Sequence, residues 1–80
     1  MATSEDMVRS VIVQRLGVSP AAVTLNARLV EDLEFSPVDL VPIIMQVEEL
    51  VNLTIPDADI QSFKTFGDIV RYVDANTAES

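Results

Sequence analysis

The sequence contains no cysteine and no histidine. These absences remove thiol nucleophiles, disulfide scaffolds, the usual zinc ligands and any imidazole general base. The missing cysteine leaves the redox compartment open. No apolar run approaches the ~18 residues that a membrane-spanning helix needs. The opening Met1-Ala2-Thr3-Ser4-Glu5-Asp6 is polar and acidic, unlike a signal peptide. A cytoplasmic protein is therefore expected. Positive charge is scarce, with 5 Lys and Arg against 13 Asp and Glu and a net charge of −8. Nucleic-acid binding is not expected, because phosphate contacts need clustered Lys and Arg. Between Arg28 and Lys64 there is no basic residue at all, while Glu31, Asp32, Glu34, Asp39, Glu48, Glu49, Asp57 and Asp59 all fall there. That interval is either a solvated acidic face or a docking surface for basic partners, since a one-signed field steers encounter.

What is present suits one small domain covering residues 1–80, with 49% hydrophobic residues to build a single core. Strand-like alternation and internal repeats are missing, and the apolar residues recur at helical spacing instead. Val8, Val11, Ile12 and Leu16 mark a first helix over about Glu5–Leu16. Thr3 or Ser4 can cap it, Glu5 and Asp6 suit its positive end, and Gly17 stands where a helix ends. Ser19-Pro20 repeats a start signal for a single turn. A long loop, Thr24 to Leu33, must then be pinned by Leu25, Leu29 and Leu33.

Ser36-Pro37 opens a second helix whose apolar stripe is Leu40, Ile43, Ile44, Val47 and Val51. Pro42 complicates that start. In a helix interior, proline lacks a donor and clashes with the preceding turn, costing roughly 3 kcal/mol. Two outcomes are expected: a kink near Val38, or a start delayed to Asp39–Leu40. Val38, Val41 and Met45 lie off the main stripe. They either fill gaps under the long loop or form an exposed apolar strip beside Asp39, Glu48 and Glu49. Asn52 to Pro56 turns the chain, and Asp57 is a candidate cap for a short helix through Ile60 or Ser62. Thr65 caps a last helix from Phe66 to about Asp74, buried along Phe66, Ile69, Val70 and Val73. Ala75 to Ser80 should fray.

Val30-Glu31-Asp32-Leu33, the long helix bearing Glu48-Glu49, Ile55-Pro56-Asp57 and Thr65-Phe66-Gly67-Asp68-Ile69-Val70-Arg71-Tyr72-Val73 together resemble an acyl carrier protein. Leu16-Gly17-Val18 with Pro20 and Val23-Thr24 fits the same family. The resemblance covers nearly the whole chain. It implies an all-α, four-helix bundle of three longer helices and one short helix, with a long loop before helix two. It also implies a serine, within Asp-Ser-Leu at the start of helix two, that carries a 4′-phosphopantetheine arm. In the ungapped register the serine position is Pro37, the preceding aspartate is Ser36 and the following leucine is Val38. Glu34 replaces a glycine in that register, and Pro42 replaces an acidic residue. Val38, Asp39, Val41, Met45, Glu48 and Glu49 fall on the partner-docking positions.

Three functional readings follow. The first is a degenerate carrier-like protein of a fatty-acid or polyketide-type pathway, with no cofactor, acting by docking. Its partners would be basic surfaces of synthase-type or acyl-transfer enzymes, including a phosphopantetheinyl transferase, and the protein itself would be a monomer. The second is a working carrier with 4′-phosphopantetheine on a displaced site, Ser36. The third is an acidic interaction bundle unrelated to carriers. An enzyme is not expected, because there is no His, Cys or phosphate loop and the carboxylates lie on loops and exposed faces. Nor is a metal site, since Asp57 and Asp59 lack the glycine and distal glutamate of an EF-hand loop.

Overall fold

A computed structural model describes residues 3–77. Among the described residues the chain forms four α-helices, one 3-10 turn and no strand. These are α1 (Ser4–Leu16), the turn Pro20–Ala22, α2 (Pro37–Val51), α3 (Asp57–Ser62) and α4 (Phe66–Thr77). The bundle has three longer helices, one short helix and a long loop before α2, as the sequence pattern implies.

Local chemistry sets the boundaries. Thr3 caps α1: its Oγ1 accepts from the Asp6 amide at 3.1 Å, and Asp6 Oδ2 accepts from the Thr3 amide at 3.5 Å. Gly17 ends the helix at φ 70°, a left-handed backbone that glycine adopts without a Cβ clash. Asn52 closes α2 the same way at φ 55°. Helix α4 opens with a reciprocal box. Asp68 donates its amide to Thr65 Oγ1 at 3.1 Å, and Asp68 Oδ2 accepts from the Lys64 and Thr65 amides at 2.9 and 3.0 Å.

The core lies where the faces of α1, α2 and α4 meet. Val8, Val11 and Ile12, then Ile43, Ile44 and Val47, then Phe66, Ile69, Val70 and Val73, are all buried. Each such side chain contributes roughly 1.5–3 kcal/mol by leaving water, which makes this stripe the main source of stability. Helix α3 supplies no buried residue, and only Ile60 packs partly against the core. Arg9 joins three elements from the rim: it donates to Val23 O at 3.0 Å, pairs with Glu5 and Asp6, and lies 5.2 Å from the Phe66 ring centre.

Four local expectations are corrected. Of the two outcomes expected for helix α2, the start delayed to Asp39–Leu40 is excluded: the helix begins at Pro37, because Ser36 serves as N-cap and proline is preorganised for the first helical position. Helix α3 is preceded by Pro56 as its cap residue, and Asp57 is already helical. Helix α4 reaches Thr77, three residues beyond Asp74, so Ala75 does not begin a frayed tail. The last residues expected to fray, 78–80, lie outside the described residues. Finally, Leu25 is 44% exposed and does not anchor the loop by burial. Leu29, Leu33, Ala27 and Phe35 do.

The backbone completes that anchoring. The Leu29 amide donates to Lys64 O at 2.9 Å, Phe66 to Ala27 O at 2.9 Å and Gly67 to Leu25 O at 3.0 Å. The loop is thus sewn to the α3–α4 junction, and its far end is fixed where α2 must start. Side chains lock it further: Asp32 Oδ2 accepts from the Arg28 amide at 2.8 Å and from Arg28 Nε at 3.1 Å.

Candidate functional site at the start and outer face of helix two

Phe35 determines where α2 begins. Its ring is buried and its amide donates to Leu29 O at 2.8 Å. Glu34 just before it has φ 59°, a left-handed conformation that suits glycine far better than glutamate. That geometry agrees with the register in which Glu34 stands at a glycine position, and in that register residue 37 is the serine position.

Ser36 follows as the N-cap, half-buried. Its hydroxyl donates to Asp39 Oδ2 at 2.9 Å, and its amide donates to the same oxygen at 3.2 Å. The Asp39 carboxylate therefore closes back on the residue before the helix, as a capping acid does. Pro37 is the first helical residue.

Pro42 lies inside α2. Its missing N–H would have gone to the carbonyl of Val38, a residue that is 76% exposed, so water can serve the orphaned oxygen. The same exposure decides the strip that the sequence left open. Val38, Val41 (50%) and Met45 (59%) point away from the core and do not fill gaps under the loop. At 100° per residue they lie on the side of α2 opposite Ile43, Ile44 and Val47.

The acidic residues of this face differ in setting. Glu49 is exposed. Glu48 is half-buried, and its Oε2 accepts from the Ile55 amide at 2.6 Å, tying the α2–α3 loop to the end of α2. Glu48 also helps, after partial burial and Asp59, to hold the Tyr72 hydroxyl above the ordinary phenol range. An open groove of about 340 Å³ runs beside the strip, lined by Pro42, Met45, Gln46, Glu49 and Arg15. The clamp made by Glu48 could not be read from spacing, because its partner is a backbone amide seven residues on that the turn of the chain brings close; Asp39 stands three residues after Ser36, at the spacing of a capping box.

The profile of the family described as "Phosphopantetheine attachment site" matches residues 6–73. An acyl carrier protein of Wolinella succinogenes is 38% identical over 71 residues, covering 89% of this chain and 93% of that protein. The chain belongs to the acyl carrier protein family. Further acyl carrier proteins are similar to it: one of Chlamydia caviae is 39% identical over 69 residues, covering 86% of this chain and 90% of that protein. One of Clostridium perfringens is 35% identical over 72 residues, covering 90% and 95%. Acyl carrier proteins are carriers, not catalysts, and the family's usual prosthetic group is 4′-phosphopantetheine.

The residues at this helix start do not fit that group at position 37. An ester to the arm needs a hydroxyl, and proline has none. The nearest hydroxyl, on Ser36, lies one residue earlier and donates to Asp39 Oδ2 at 2.9 Å. Among the described residues there is no cluster of metal-binding side chains, and no helix is long and apolar enough to cross a membrane.

Proposed function

We propose that this acyl carrier protein relative acts in a fatty-acid or polyketide-type pathway by docking to carrier-reading enzymes, without a covalent arm. The observation that carries the reading is a carrier frame around a helix start that offers proline where the arm would be esterified. The partners are basic surfaces of synthase-type or acyl-transfer enzymes, the phosphopantetheinyl transferase among them. Val38, Asp39, Val41, Met45, Glu48 and Glu49 form or support the docking face, and the chain works as a monomer. The net charge of −8 supports both, since like charge repels a second copy and steers a basic partner.

Intact mass after incubation with coenzyme A and a broad-specificity phosphopantetheinyl transferase tests the proposal. The expected result is no added arm. A gain that Ser36→Ala abolishes would establish Ser36 as the attachment site and sink the proposal. Replacing Ser36-Pro37-Val38 with Asp-Ser-Leu should create modification in a folded protein, because only the acceptor is missing from the frame.

A further inference from the structure

With no cysteine in the chain, methionine is where a mild oxidant can act on sulfur. There are three methionines. Met1 lies outside the described residues, and Met7 on α1 is half-buried. Met45 on α2 is 59% exposed and stands apart from the buried core. It lines the open groove of about 340 Å³ together with Arg15, Pro42, Gln46 and Glu49. Among the described residues Arg15 makes no salt bridge, so its guanidinium donors are available to the groove. Hydrogen peroxide is small and uncharged, so the −8 field that repels anionic oxidants does not keep it from this sulfur.

We infer that Met45 is a reversible oxidation site, through which hydroperoxides switch docking off without unfolding the bundle. The Met45 sulfur attacks one peroxide oxygen, an S–O bond forms as the O–O bond breaks, and the departing hydroxide takes the remaining proton to leave as water. Sulfur loses an electron pair and the peroxide is reduced by it, giving one sulfoxide and one water. The product puts a strong, uncharged hydrogen-bond acceptor where an apolar thioether stood. Arg15 and Gln46 offer N–H donors to that oxygen within the same groove, and Glu49 offers none. Held there, the side chain is withdrawn from the outer face of α2; pressed against a partner instead, it buries an unpaired acceptor, which is unfavourable. The effect on docking rests on the role proposed above, while the oxidation itself does not.

The experiment treats the full chain with dilute hydrogen peroxide, removes the peroxide, and measures oxidation and binding on the same sample. Tryptic cleavage after Arg28 and Lys64 leaves Met45 as the sole methionine of its peptide, with Met1 and Met7 in another, so mass spectrometry reads each site. Met45 should gain one oxygen atom several-fold faster than Met7, and circular dichroism should be unchanged. Affinity for a phosphopantetheinyl transferase, used as the probe, should fall at least tenfold. Methionine sulfoxide reductases for both epimers should restore it. In Met45→Leu, which keeps the side chain's volume, whatever binding remains should be indifferent to peroxide. Oxidation of Met7 ahead of Met45, loss of helical signal on oxidation, or unchanged affinity once Met45 is oxidised overturns the inference and leaves the docking role standing. No binding by the untreated chain overturns the docking role and the switch together.

Discussion

Glu34 holds a left-handed backbone at φ 59° between two buried residues, Leu33 and Phe35, that fix the chain on either side. A non-glycine residue there pays a Cβ–carbonyl clash that glycine avoids, roughly 1–2 kcal/mol before the extra freedom glycine gains when unfolded. Glu34→Gly should therefore stabilise the protein by about 0.5–1 kcal/mol, read as a higher urea midpoint at unchanged slope. Gly67 is the opposite case. A Cβ built on it would stand 2.6 Å from the Leu25 carbonyl oxygen, a backbone atom held by the hydrogen bond from Gly67 itself. Gly67→Ala should cost about 1–3 kcal/mol by forcing the long loop off α4, and the same denaturation measurement checks it. Little of this is visible in the sequence. Glu34 looks like one more acid in an acidic loop, and the demand on its backbone comes from burying its neighbours.

At the scale of the elements, α2 is the helix the sequence reads least well. Its apolar stripe and its Ser-Pro start are legible, and both hold in the structure. A proline six residues into a helix is unfavourable, so either a kink near Val38 or a delayed start is expected; the delayed start does not occur, because the capping chemistry at Ser36 and Pro37 prevails and the helix runs through Pro42. Proline at 42 lacks the N–H that a helix interior would send to the carbonyl of Val38, a residue that is 76% exposed. Pro42→Ala should recover that bond and raise stability by about 1–3 kcal/mol, seen as a higher thermal midpoint. The other helices were legible for simple reasons: α1 and α4 open on capping boxes and have no proline inside. The site was only half legible. Spacing identifies Val38, Val41 and Met45 as off the core stripe, but only packing shows that nothing covers them. Spacing likewise makes Glu48 an outward acid, when the chain's return at Ile55 makes it a clamp.

For the whole molecule, the balance of charges sets the response to pH. The Asp68 carboxyl is held below the usual carboxylate range, chiefly by the hydrogen bond from the Lys64 amide, with Thr65 and Arg71 adding to it against partial burial. Asp32 is lowered likewise, first by the Arg28 side chain and then by its amide. A carboxyl whose folded pKa is depressed binds its proton more readily when unfolded. Its contribution is thus present above the ordinary value of 3.8 and is lost as pH falls through the lower folded value. Stability should stay level on this account from neutral pH to about pH 4 and fall below it. Asp68→Asn should flatten that acid limb in urea titrations between about pH 5 and pH 2. Tyr72 works in the other direction, because its hydroxyl is raised: its contribution holds below the ordinary phenol value of 10.0 and is lost as pH rises beyond it.

By itself the sequence determined the fold class, the four helices, most of their caps and the absence of a hydroxyl at position 37. These follow from periodicity, capping chemistry and residue identity, all of which act over a few neighbouring residues. Tertiary structure decided the rest. Burial of Phe35 fixed Ser36 as a cap, the contact with Leu25 made Gly67 indispensable, and the return of the chain at Ile55 drew Glu48 inward. The open side of α2 left Val38, Val41 and Met45 facing solvent. Each of these depends on residues distant in sequence meeting in space, and local pattern carries no record of which distant groups will meet.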